Sequence, residues 1–155
     1  MEENLQTIHK KFAVECFNET WDLIDLESRT ADQDDEMLAL AMASYWHWTQ
    51  REDFTPKNAS ISFWQISRVH ALRSEGEMAL KFGRKAVDVI PNPAELPFFV
   101  AYGWEAQARG AWLLEDHESA SGYLAKAMAL LPAIPEDSRK MIKPDLDELA
   151  TKIGR

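Results

Sequence analysis

Apolar residues recur at intervals of three and four along the chain, and no stretch alternates polar with apolar over several positions. Asn-Gly and Asp-Gly turns are also missing, so the pattern predicts helices throughout. Ile8, Phe12, Phe17, Trp21 and Ile24 step by three to five and predict a first helix over about residues 5–26. In "RTADQDDEM" a capping residue precedes carboxylates, which suit the positive end of a helix dipole; a second helix over about 35–50 follows. After the loop "REDFTPKNA", Asn58 or Ser60 caps a third helix ending near residue 73. "SEGE" reads as a capping box, Ser74 with Glu77, that starts a fourth helix running to the "PNP" at Pro91–Pro93. A fifth begins near Pro97 and reaches Leu114, since proline fits a first turn. Asp116 caps a sixth, which stops before Pro132. Pro135 opens a seventh that Pro144 should kink or split, leaving Leu146, Leu149, Ala150 and Ile153 as a short amphipathic tail.

Sliding the chain on itself by 41 residues exposes a repeat. "RVHALRSEGEMALKFGRKAVDVIP" lies over "RGAWLLEDHESASGYLAKAMALLP" with seven identities in 24 positions, where ordinary composition gives about one or two. The identities are Arg68/Arg109, Leu72/Leu113, Glu77/Glu118, Ala79/Ala120, Lys85/Lys126, Ala86/Ala127 and Pro91/Pro132. Physically this is a helical hairpin in which small alanines let two helices approach and a proline ends the unit.

These residues resemble the tetratricopeptide repeat (TPR). Ala79, Ala86 and Pro91, and again Ala120, Ala127 and Pro132, follow that family's second-helix spacing. Phe63 and Trp104 stand at its early large aromatic, and Ser67 and Ala108 at its small residue four positions on. His70 and Ala111 depart from its next bulky position, and the 41-residue spacing is longer than the family's roughly 34. The likeness covers about 75 residues well. Phrases such as "SYWHW" and "PFFVAYGWEAQARG" also resemble a group of bacterial TPR-like proteins, a likeness that brings no function with it. The resemblance implies an all-α fold, a TPR-like right-handed array of about three antiparallel helical hairpins plus a C-terminal capping helix. Residues 1–155 would form one domain, with hairpins at about 4–50, 58–91 and 95–132 and a cap at about 135–153. Three hairpins are near the minimum for such an array, so either the last helix caps the stack or two copies associate as a homodimer.

Seventeen basic against 26 acidic residues leave a formal charge of −9, which argues against nucleic acid or an anionic membrane as partner. The acidic beginning lacks the order of a secretory signal, no apolar run approaches about 18 residues, and the single Cys16 cannot form an internal disulfide. A cytoplasmic location is expected. No nucleophile elbow or phosphate-cradling glycine loop occurs, and the six glycines look scattered; no catalytic residue and no cofactor is expected.

Two features remain as candidate chemistry. His9 and His47 could face each other across the first hairpin, with Cys16 two turns away. That would suit a helical-bundle enzyme or sensor holding a metal or small molecule. Yet no two histidines share i, i+3 or i, i+4 spacing, His117 falls in a turn, and Glu15 beside Cys16 disfavours its thiolate. The row Tyr45, Trp46, His47, Trp48 sweeps around its helix rather than lining one pocket, so it reads as packing on two faces: Leu38, Met42, Tyr45 and Trp48 on one, Ala39, Ala43 and Trp46 on another.

In TPR arrays the concave surface comes from the first helix of each hairpin. The corresponding positions are Ile61, Trp64, Arg68 and Ala71, then Tyr102, Glu105, Arg109 and Trp112. Glu15, Asn18 and Asp22 would extend the wall, with Phe17, Trp21 and Ile24 turned toward the second helix. The functional expectation is a non-enzymatic adaptor gripping a peptide or partner protein. Arg68 and Arg109 would be its anchors, Trp64, Tyr102 and Trp112 its aromatic walls, and Asp22, Asn18 and Glu105 would lie alongside. The competing expectation is internal neutralisation, Asp22 with Arg68 and Glu105 with Arg109.

Overall fold

The computed structural model describes residues 2–154. Its elements are α1 (Glu2–Ile24), α2 (Ala31–Thr49), α3 (Pro56–Leu72), α4 (Gly76–Asp88), α5 (Pro97–Leu113), α6 (His117–Ala129) and α7 (Glu136–Ile153), with single 3-10 turns at Pro93–Glu95 and Leu131–Ala133. The protein is all-helical over the described residues.

Local chemistry sets the helix ends. Thr30 and Gln33 form a capping box ahead of α2, four residues earlier than the periodicity suggests. Thr55, not Asn58 or Ser60, caps α3: Pro56 takes the first turn and Asn58 closes a second capping box. Asp116 caps α6 by accepting the Ser119 amide. The expected box at Ser74 is not formed. Ser74 adopts φ 60°, the amide of Glu75 bonds the His70 carbonyl, and that of Ser74 bonds Ala71. This is a Schellman ending to α3, and 41 residues later it recurs with Glu115 at φ 62°, its amide on Trp112 and that of Asp116 on Ala111. A left-handed residue reverses the chain in so few residues that the following helix must fold straight back. Pro144 lies inside a continuous α7 rather than splitting it.

Neighbouring helices run in opposite directions. On α1 and α2, His9 meets His47 while the Ser44 hydroxyl donates to the Ala13 carbonyl. On α3 and α4, Ser60 donates to Ala86 and Ser67 to Ala79. These hydroxyl-to-carbonyl bonds need close backbones, which fully buried Ala79 and Ala86 permit. The α4–α5 contact is closer still. Ideal methyl groups on Gly83 and Gly110 would lie 2.9 Å from the Gln107 amide and 2.7 Å from that of Leu80. Gly76 and Gly103 lie in the same seam, so four of the six glycines that look scattered in sequence meet at one interface.

α5 sits at the centre, packed by α3, α4, α6 and α7, and from Glu105 to Ala111 every residue is buried. One core cluster joins Ala101 and Ala108 of α5 to Leu124 and Ala127 of α6 and Ile142, Leu146 and Leu149 of α7. A second joins Ile24, Met37, Ala41, Ile66 and Val69. On α2 the buried stripe is Met37, Ala41 and Ser44, displaced from the two faces read off the aromatic row. Trp46 is 53% exposed, edge-on to His9, because Ser44 turns inward to bond α1 and rotates the tryptophan outward.

Candidate functional site: an aromatic cavity beside a buried charge cluster

α3 lies directly against α5, whereas α1 stands farther from α3. Large rings hold that wider gap: Trp21 of α1 leans on Trp64 of α3 at 5.4 Å, and Trp64 on Tyr102 of α5 at 4.8 Å. Phe17 extends the series beyond Trp21, and Phe98 and Phe99 extend it beyond Tyr102, so six rings touch in sequence across three helices. They border a half-open cavity of about 730 Å³ completed by Ile24, Ile61, Leu72 and Met141, with Asp25, Arg68 and Asp145 as its charged groups. That volume and mostly apolar lining match sites that take organic groups.

Beneath one wall lies the charge cluster. Glu105 is wholly buried on α5. Its Oε1 accepts from Arg68 Nη2 at 3.1 Å and from Arg109 Nε and Nη2 at 2.9 and 2.6 Å, and its Oε2 accepts from Trp64 Nε1 at 3.0 Å. Burial alone raises this carboxyl's pKa, but the Arg68 and Arg109 guanidiniums outweigh it and hold it below the usual range. The outer flanks of both arginines are covered by α7: Asp145 lies 3.7 Å from Arg68, and Glu148 lies 3.6 Å from Arg109. The Tyr102 hydroxyl donates to Asp145 at 2.8 Å. Burial first, then that carboxylate, pushes the phenol's pKa up. Lys152 pairs with Glu148 and sits 5.2 Å from the Trp112 ring.

The sequence-derived residues therefore separate into four groups. Trp64, Arg68 and Tyr102 line the cavity, Glu105 and Arg109 lie behind it, and Trp112 borders a smaller depression with Ala71, Arg109 and Lys152. Glu15, Asn18 and Asp22 are exposed and outside the lining. Phe17, Trp21 and Ile24, expected to turn toward α2, all border the cavity, and Ile24 also packs with Met37 and Ala41 of α2, with Trp21 against the same cluster. The cause is α1's seating: Ala13 and Thr20 are its fully buried positions, which keeps Ile24 on the α2 side and rotates Phe17 and Trp21 toward α3. Of the expected neutralising pairs, Glu105 with Arg109 forms. Asp22 with Arg68 does not, because Glu105 and Asp145 occupy that guanidinium. Phe98, Phe99 and Met141 were not singled out from sequence; "LPFFVAY" carries a doubled aromatic at a helix start, a visible but unspecific signal.

His9 and His47 do meet, Nδ1 to Nδ1 at 2.9 Å. One ring must then donate and the other accept, so at least one is neutral. Burial, then His9, lowers the pKa of His47. Among the described residues no group of three or more metal-ligating side chains comes together. Cys16 has its thiol pKa raised by burial and by Glu19 and Glu15, the opposite of what a nucleophile needs.

No helix among the described residues is long and apolar enough to cross a membrane. Compared with known proteins, the chain matches no family model, no curated protein and no solved structure.

Proposed function

We propose that this protein is a non-enzymatic, TPR-like cytoplasmic adaptor that binds a segment of a partner protein across α1, α3, α5 and α7. The aromatic cavity takes an apolar side chain of that segment. Support for the TPR-like reading comes from the 41-residue repeat, the matching Schellman turns at Ser74 and Glu115, and the buried alanines at equivalent places in α4 and α6.

The observation that carries the binding reading is the ring-lined cavity itself. A row of aromatic surfaces left open to solvent is unfavourable unless something covers it, and buried aromatics are where interfaces concentrate their binding energy. The arginines take a different role from the one their spacing suggests. With Glu105 between them and α7 carboxylates outside, they hold the cavity's rear wall rather than gripping a ligand carboxylate.

The test is site-specific photocrosslinking in the native host. A benzophenone amino acid replacing Phe98 should form a discrete covalent adduct with another polypeptide. The same group at exposed Ala39, on α2, should not. Equal labelling at both positions, or no adduct from the cavity, would refute the assignment.

A further inference from the structure

We infer that the segment entering the cavity is basic: an aromatic or branched apolar side chain inserts between Trp21 and Phe98, and lysines or arginines beside it meet the acidic flank of α1. This rests on the groove reading above and adds the charge of its occupant.

Between Lys11 and Arg29 the chain carries Glu15, Glu19, Asp22, Asp25 and Glu27 and no base. All five are exposed, and none forms an ion pair among the described residues. At about 100° per residue, Asp25 follows Phe17 and Trp21 around the axis and Asp22 lies next beyond it, outside the lining, while Glu15 and Glu19 fall on the far side of the helix. Asp25 itself lines the cavity.

The guanidiniums on the other walls are already engaged, and the Lys57 ammonium of α3 is taken up over the Phe99 ring at 5.1 Å. Arg68 and Arg109 share Glu105, Asp145 and Glu148, and Lys152 is held by Glu148. An arriving acidic segment would find no free guanidinium there and would face α1's carboxylates. A basic one would find the unpaired Asp25, and the face of Trp21 also attracts cations, while Trp64 already carries Arg68 at 5.4 Å. A second copy of this chain is a poor occupant, since two molecules of formal charge −9 repel each other.

A random-peptide library displayed on phage, panned against the full chain, tests this directly. Enriched peptides should combine a large apolar residue with net positive charge. As synthetic peptides they should bind the exposed-surface variant Asp22→Asn, Asp25→Asn roughly three- to tenfold more weakly than wild type, with a loss that shrinks at high salt. Filling the cavity with Ile61→Trp, or with Met141→Trp at a 64% exposed position that tolerates change, should abolish binding. Enrichment of neutral or acidic peptides, or affinity unmoved by the charge variant, overturns the basic occupant; if the filling variants still abolish binding, the groove reading survives. Peptides that bind both filling variants as well as wild type, or a library from which nothing is enriched, overturn the groove and this inference together.

Discussion

Replacing Glu105 by glutamine probes the centre of the molecule with almost no change in shape. The substitution keeps an acceptor oxygen but removes the charge that two guanidiniums share, at a site with no access to water. Losing one partner of a buried pair costs about 3–5 kcal/mol, chiefly through the charge left uncompensated. Here Asp145 and Glu148 remain at 3.7 and 3.6 Å, so the lower end applies, about 3 kcal/mol. For a chain of this size that is a fall in Tm of about 6–12 °C. In urea, with m near 2 kcal/mol/M, the midpoint should drop by about 1.5 M at unchanged slope. Glu148→Gln, at a half-exposed partner of Arg109, should cost under about 0.5 kcal/mol and serves as the control.

The pH dependence follows from the same contacts. Because the folded carboxyl titrates below its usual range, its contribution is complete above the ordinary glutamate pKa and is lost as pH falls toward the depressed folded value. The gap between wild type and Glu105→Gln should therefore be widest near neutrality and close in acid. A neutral-pH difference below about 1 kcal/mol, or a gap that widens on acidification, would refute the view that Glu105 neutralises both arginines.

Three further substitutions test the turns and the packing. Ser74→Gly and Glu115→Gly relieve left-handed backbones at exposed turns, and each should stabilise by about 0.5–1 kcal/mol after glycine's greater unfolded freedom is subtracted; thermal melts showing a loss at both would contradict the Schellman assignment. Gly110→Ala sets a methyl 2.7 Å from the Leu80 backbone nitrogen, so α4 and α5 must separate, at a cost of about 1–3 kcal/mol by chemical denaturation; a neutral result would mean the seam is looser than described.

Much of this organisation is legible in the amino-acid order. Seven helices, the proline and Asp116 boundaries and the 41-residue correspondence all come from interactions within a few turns of the chain: periodic burial, side-chain capping, a missing amide hydrogen. The Ser74 capping box misreads because the preceding helix's end and the following helix's start compete for the same residues, and the left-handed turn wins. Other properties belong to the tertiary structure alone. Arg68 shares one carboxylate with Arg109 because α3 and α5 pack side by side, and Asp145 and Glu148 reach the same cluster only because α7 folds onto α5. Rotation of α1 about its axis, set by which small residue seats against α2, decided that Phe17 and Trp21 border the cavity while Asp22 stays outside. Helix periodicity specifies a stripe; it does not specify which neighbour the stripe meets, and the pairing of charges across that gap depends on distances no local pattern encodes.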